Sequence, residues 1–301
     1  MEGDSQLKKA LGVDIGGTKI RMGVVNESGE VLLDQTIPTR IPLYPYLEEH
    51  ILQIIAEHPD LTGIGIGTRG MVDAETGVIT FEKELEGWQG TPVKELLEKA
   101  TGIRVEVNND ANCAALAEVF IGAAKGYGRV VCLTIGTALG GGIVFNKKIM
   151  NGAHGGGGEV GHLILYPNGL VCSCGRKGCS ERYVSGTALR RMIQEYNVID
   201  ETTGELVKPH NLFQLAANGH SSAISVRDRF VSDFAIVISS LQAILDMDCV
   251  VVGGGVSESA DDWWNELLEK VAPLKLNPLE IRRAAFGNEA GMLGAAMLVI
   301  Q

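Results

Sequence analysis

No apolar run in the 301-residue sequence approaches the roughly 18 residues that a membrane-spanning helix needs, so no membrane association is expected. The opening MEGDSQLKKA has no apolar core of the kind an export signal carries, and a cytoplasmic location is expected. No block of lysine or arginine stands out, and the net charge is −11. Nucleic-acid binding draws most of its affinity from neutralising phosphates, so a nucleic-acid partner is not expected either. Cysteine is sparse, and Cys113, Cys132 and Cys249 sit in apolar or helical contexts that read as free thiols. A reducing compartment suits them. What the chain has in excess is glycine, 39 residues where an average chain of this length has about 21. Much of it falls in short clusters after apolar runs, a punctuation that disordered low-complexity sequence lacks. The length suffices for two domains or one large one.

The most distinctive stretch is Gly156–Glu181, GGGEVGHLILYPNGLVCSCGRKGCSE. Its His162, Cys172, Cys174 and Cys179 fall within eighteen residues. Three thiols and an imidazole are the usual ligand set of a closed tetrahedral zinc site. Gly175 and Gly178 allow the tight curl that would aim the sulfurs at one ion. The alternatives, buried cysteines acting as small hydrophobes or a disulfide, fit poorly beside Ser173, Arg176, Lys177 and Ser180. Zinc would hold rigid a loop without a core of its own, and that loop also carries Glu159 and Glu181.

Apolar strands are expected at 9–15, 20–25 and 30–37, with Asp14-Ile15-Gly16-Gly17-Thr18-Lys19 at the first turn. The glycine pair therefore sits in a hairpin and opens no helix, which excludes a Rossmann fingerprint or a Walker loop. Such a tip lets backbone N–H groups approach an anion, although a plain tight turn would look the same. A helix is expected at 45–58, strands at 61–67 and 77–80, and a helix from a Thr91 cap to Ala100. A strand at 105–107 ends in Asn108-Asn109-Asp110 and hands over to a helix at 111–123. Ligands of α/β sheets gather at such carboxyl ends of strands, but Asp110 could equally be that helix's N-cap. After a hinge near Gly122–Gly128, a strand at 130–135, the turn Gly136–Gly142 and a strand at 143–146 repeat the first layout. Helices follow at about 182–196, 211–217 and 223–245, then a strand at 249–252 ending in Gly253-Gly254-Gly255. A helix near 262–271, with Trp263 and Trp264 as packing residues, and a final apolar helix at 289–300 complete the reading.

Taken together, DIGGTK (14–19), NDANCAALAE (109–118), TIGTALGGG (134–142), GEVGH (158–162), CSCGRKGCSE (172–181) and VVGGG (251–255) make the chain resemble the ROK family of sugar kinases. DIGGT is shared across a wider superfamily, whereas CxCGxxGCxE together with GExGH is specific to this family. The resemblance implies an α/β, two-domain actin-like ATPase (ribonuclease H-like) fold with a cleft between the domains. A small N-terminal domain would span 1–121 and be joined by the C-terminal helix 289–301, and a large domain would span 122–288. Gly16, Gly17, Thr18, Lys19, Gly136, Thr137, Gly253 and Gly254 would hold ATP, with Asp14 near its Mg2+. Asn109, Asp110, Glu159, His162 and Glu181 would bind a hexose, and Asp110 would be the catalytic base. Zn2+ would be held by His162, Cys172, Cys174 and Cys179. The implied reaction is phosphorylation of a hexose hydroxyl, the 6-hydroxyl of an aldohexose such as glucose, by a homodimer.

Two departures bear on the substrate. The family's common Pro-Gly-x-Val-Asp is here Arg69-Gly70-Met71-Val72-Asp73, and its Asn-Leu-x-x-Trp is Glu84-Leu85-Glu86-Gly87-Trp88. Both lie near the sugar pocket in the family, so an N-acetylhexosamine such as N-acetylmannosamine is an alternative acceptor; otherwise they are exposed loop charges. The family also holds sugar-responsive transcription regulators with an added DNA-binding domain. Here about eight residues precede the first strand, too few for a recognition helix. A nucleotide-switched ATPase of the same fold is a further rival, but it needs neither Asp110 nor a zinc-braced polar loop.

Overall fold

A computed structural model of the chain describes residues 7–300; the first six residues, part of the stretch read for an export signal, and residue 301 lie outside it. The chain forms two compact units. One is assembled from residues up to 126, 142–158 and 288 onward, the other from 127–141 and 159–287.

In the first unit, β1 (Lys9–Ile15), β2 (Lys19–Asn26), β3 (Val31–Pro38), β4 (Leu61–Thr68) and β7 (Val105–Asn109) form a sheet of order β3-β2-β1-β4-β7. A separate two-stranded sheet pairs β5 (Met71–Asp73) with β6 (Val78–Phe81). β1 runs antiparallel to β2 and parallel to β4, and β4 runs parallel to β7. The central strands are near-continuous apolar runs because both faces are covered, whereas the edge strand β3 is largely exposed. Helices α1 (Leu43–Glu57) and α2 (Val93–Thr101) share a core with Leu11, Val13, Ile15, Ile64, Ile66 and Trp88.

Side chains alternate across a strand, so the opposite face of β1 and β4 presents Gly12 and Gly65. These glycines receive α8 (Ala290–Ile300) at backbone distance, and a methyl on either would collide with the carbonyl of Met292 or Ala295. Helix α3 (Asp110–Phe120) packs on α8 in the same manner, with Gly294 against the Cys113 carbonyl.

The second sheet has the order β10-β9-β8-β11-β12, from β8 (Arg129–Ile135), β9 (Leu139–Phe145), β10 (Lys148–Ile149), β11 (Cys249–Gly253) and β12 (Glu280–Arg283). β11 is parallel to both β8 and β12, and β9 is antiparallel to β10. Each sheet thus places its first strand between an antiparallel hairpin and two parallel strands. That order, used twice, is the ribonuclease H-like arrangement of the two-domain actin-like ATPases. Helices α4 (Gly186–Glu195), α5 (Pro209–Ala217), α6 (Ser221–Leu245) and α7 (Trp264–Val271) belong to the second unit. Its aromatic core gathers Phe213, Phe230, Phe234 and the fully buried Trp263.

The structure corrects several expectations from the sequence. β9 begins at Leu139, inside the glycine run, because Gly142 packs against Ala111 and Ala115 and serves contact where a turn was expected. β12 reads EIRR and is mostly exposed, so it has no apolar alternation by which to be found. Helix α2 starts at Val93 with Pro92 at the cap position, and the Thr91 hydroxyl donates to the Gly87 carbonyl rather than capping the helix. Residues 180–182 form a separate 3-10 turn before α4.

Candidate active site

In the first unit the strand register fixes what emerges at the carboxyl edge of the sheet. Ile15, Thr68 and Asn109 lie in line across β1, β4 and β7. Gly16-Gly17, Arg69 and Asp110 therefore leave the sheet side by side. The cap of α3 is Asn109, not Asp110: its side-chain oxygen accepts from the N–H groups of Ala111 (2.9 Å) and Asn112 (3.4 Å). The Asn109 amide also donates to the Gly70 carbonyl at 3.0 Å. Behind it, Asn112 donates to Asn108 at 2.9 Å and Asn108 to Asn151 at 3.0 Å. Asp110 is freed from capping; its Oδ1 accepts from the Ala111 N–H at 2.8 Å.

Burial raises the Asp110 carboxyl above its ordinary range, opposed by the Ala111 N–H and by Arg69. Asp14, at the end of β1, is pushed up to about 7, first by burial and then by the charge of Asp110, with Lys19 and Arg21 opposing. Gly291, in the first turn of α8, lies so close that a methyl there would stand 2.7 Å from the Asp14 carboxylate. Two neighbouring carboxylates, both raised, form an electrostatic arrangement that a divalent cation relieves. The donor set of hard oxygens fits magnesium.

Each glycine hairpin is closed by a backbone hydrogen bond from its first glycine. The Gly16 N–H donates to the Lys19 carbonyl at 3.0 Å, and the Gly136 N–H to the Ala138 carbonyl at 3.0 Å. Gly17, Thr18 and Lys19 are exposed at the first tip, which the Thr39 hydroxyl secures through the Gly16 carbonyl at 2.8 Å. Thr137 is exposed at the second, which the start of α4 holds: Gly186 N–H donates to Gly136 at 2.8 Å and the Thr187 hydroxyl to Thr137 at 2.7 Å. Space around the Gly136 Cα is open. Gly136 and Thr137 line a cavity of about 570 Å³ in the second unit, with Arg190, His210, Phe213 and Val256. Of the triplet Gly253-Gly254-Gly255 that begins at the end of β11, Gly255 lines it. Gly253 is buried, and Gly254 turns the chain at φ +88° against Ile135. Sequence reading missed the residues from α4 and α5, since no local motif marks them.

The ligand atoms of His162, Cys172, Cys174 and Cys179 all lie within 4.8 Å of one another. Cys174 Sγ and Cys179 Sγ are 3.6 Å apart, and Cys172 Sγ is 3.7 Å from His162 Nδ1. Tetrahedral zinc with Zn–S bonds of about 2.3 Å needs sulfurs roughly 3.7 Å apart, so the residues fit. The other ring nitrogen, Nε2, faces Glu159 at 3.9 Å. The Cys172 thiol donates to Glu181 at 2.9 Å. The loop is closed by bridges Ile164–Cys179 and Val171–Lys177 and by the Ser180 hydroxyl, which donates to the Val160 carbonyl at 2.7 Å. Glu159, His162 and Glu181 are thereby brought onto one braced surface of the second unit. Arg69 and Glu84, apart in sequence, form an ion pair at 2.7 Å in the first unit.

Known proteins share this architecture end to end. The ROK family pattern matches residues 10–301. A glucokinase of Thermotoga maritima is 33% identical over 97% of this chain and 97% of its own. An N-acetyl-D-glucosamine kinase of Aliivibrio fischeri is 32% identical over 96% of this chain and 99% of its own. The crystal structure of a ROK family glucokinase from Streptomyces griseus in complex with glucose and AMPPNP superposes with a TM-score of 0.78 at 31% identity, covering 97% of this chain and 99% of that one.

Proposed function

The chain belongs to the ROK family and is an ATP-dependent sugar kinase, and from that premise we propose that it transfers the γ-phosphoryl group of ATP to the 6-hydroxyl of glucose. The observation that carries the residue assignment is Asp110, a half-buried carboxylate beside Asp14 whose helix is capped by its neighbour. Asp110 takes the proton of the sugar hydroxyl as its oxygen bonds to the γ-phosphorus and the bond from that phosphorus to the β–γ bridging oxygen breaks, giving ADP and a sugar phosphate. Asn109 orients the hydroxyl, and Glu159, His162 and Glu181 bind the others. Gly16–Lys19 and Gly136–Thr137 offer N–H groups and hydroxyls to the phosphates, and the cavity lined by Phe213 and Val256 takes the adenosine. Magnesium, when bound beside Asp14, supplies positive charge to the phosphate oxygens. His162, Cys172, Cys174 and Cys179 would hold zinc, which would brace the loop; His162 Nδ1 faces the Cys172 thiol, so its Nε2–H would be left to donate to a sugar hydroxyl.

No helix among the described residues is long and apolar enough to cross a membrane; a cytoplasmic homodimer acting on free sugar, with no nucleic-acid partner, completes the proposal. Sedimentation of the purified chain tests the dimer. ADP release measured across glucose, mannose, allose, N-acetylglucosamine, N-acetylmannosamine and β-glucosides tests the activity. Turnover should depend on sugar and be fastest with glucose. ATP hydrolysis indifferent to every sugar would overturn the reading. Selection of an N-acetylhexosamine, the acceptor class of the Aliivibrio fischeri relative, would correct the substrate.

A further inference from the structure

The two positions where the chain departs from the family's usual pattern, Arg69 and Glu84, are the two ends of one ion pair. Arg69 occupies a particular place. It follows Thr68 at the carboxyl end of β4, flanked by the Gly16-Gly17 hairpin on one side and Asp110 on the other. Its backbone is fixed from both neighbours: the Trp88 indole donates to the Thr68 hydroxyl at 2.9 Å, and the Asn109 amide to the Gly70 carbonyl at 3.0 Å. Its guanidinium reaches back over the hairpin, so that a methyl on Gly17 would stand 3.0 Å from Nη1. The charge of the same group is felt at Asp110. The guanidinium therefore lies between the glycines assigned to phosphate and the carboxylate assigned to the accepting hydroxyl.

We propose that Arg69 is a catalytic residue that grips the phosphoryl group in transit from ATP to sugar, with Glu84 holding the guanidinium ready when no substrate is bound. The inference rests on the kinase reading above and adds no bond to the reaction. The Glu84 carboxylate is largely exposed and the Arg69 side chain about one-third exposed. An exposed pair of this kind is weak, so it yields readily to a more highly charged partner. A guanidinium can take two phosphoryl oxygens at once, which an ammonium cannot. Arginines that reach the transferring phosphoryl in nucleotide hydrolases are worth about 10³–10⁵ in kcat. Negative charge from Asp14, Glu82 and Asp110 surrounds the path, and a fixed cation there offsets it for an anionic donor.

The test compares Arg69→Ala, Arg69→Lys and Glu84→Gln in the full chain. Two sets of measurements are made: kcat with KM for ATP and for the best hexose, and affinity for ADP-magnesium-fluoroaluminate with sugar present, against affinity for ADP alone. Arg69→Ala should lower kcat at least about 10²-fold and weaken the fluoroaluminate complex similarly, with hexose KM and ADP affinity within about threefold. Arg69→Lys should recover only part, and Glu84→Gln, which removes the group that competes with the phosphoryl for the guanidinium, should raise kcat. If Arg69→Ala fails to fold, the lysine variant carries the same comparison. A kcat within threefold of the parent for the alanine variant, or for a lysine variant standing in for it, overturns the proposal. So does a loss confined to hexose KM, which would make Arg69 a selector of sugar. Failure of the kinase reading has its own signature, a parent enzyme without sugar-dependent ATP turnover.

Discussion

Asn109 and Asp110 divide one helix start between them: Asn109 caps α3, which leaves the Asp110 carboxylate available for proton transfer. Since Asn109 holds the cap, Asp110→Asn should leave the melting temperature nearly unchanged while kcat falls at least about 10²-fold. Asn109→Ala should instead cost about 1 kcal/mol of stability, read as a melting shift of about 2–4 °C. Turnover of the Asp110 variant within a few-fold of the parent would remove Asp110 from the mechanism. Asp14 yields a pH dependence. Its carboxyl titrates near 7 in the fold against 3.8 ordinarily, so between those values the folded state holds more protons than the unfolded one. The contribution of this group to metal-free stability therefore declines as pH rises from about 4 to 7. Magnesium needs the ionised carboxylate, so its affinity should rise over the upper part of the same range and binding near pH 6 should release protons. Calorimetry in buffers of different ionisation heat measures that release; none at pH 6 would contradict the assignment. The place of Asp110 was legible because an apolar run, a polar triplet and a helical pattern are adjacent in sequence. The contact of Arg69 with Glu84, and the chain of amides through Asn108, Asn112 and Asn151, join residues that only the folded chain brings together.

Among the elements, glycine separates into two kinds that composition alone mixes. Gly136 faces open space, whereas a methyl on Gly65 would meet the backbone of α8. Gly136→Ala should accordingly leave stability intact and raise KM for ATP, while Gly65→Ala should destabilise by about 1–3 kcal/mol or more, because a backbone carbonyl cannot step aside as a side chain can. Equal melting temperatures for the two variants would show that α8 shifts freely. Buried strands such as β1, β4 and β11 were legible as unbroken apolar runs, and the long α6 as a helical pattern. The edge strand β12 and the two-residue β10 were not, since neither buries enough to leave a period. The clustering of His162, Cys172, Cys174 and Cys179 was legible from their spacing, although the loop that carries them has almost no regular structure. Cys172→Ser should lose stoichiometric zinc and sugar binding together, measured by elemental analysis and titration; full sugar affinity in that variant would break the link between them.

For the whole molecule, the same sheet order occurs twice, and each unit has its own core, one around Trp88 and one around Trp263. A strong chelator should therefore act locally. Amide exchange at residues 159–184 should accelerate on metal removal while β1 and β4 stay protected; uniform loss across both units would mean that the metal supports the entire fold. The first unit is also discontinuous, since its sheet comes from the first third of the chain and α8 from the end. On the ribosome these parts are made at different times. Gly65 and Ala290 are separated by 225 residues, and at about 5–20 residues per second the glycine seat on β1 and β4 waits roughly 10–45 s for the helix that fills it. From the completion of β7 at Asn109 until α8 arrives, the nascent chain carries the full strand order with the seat of that helix bare. A holding chaperone has its best opportunity there, before the last eleven residues of helix close the layer.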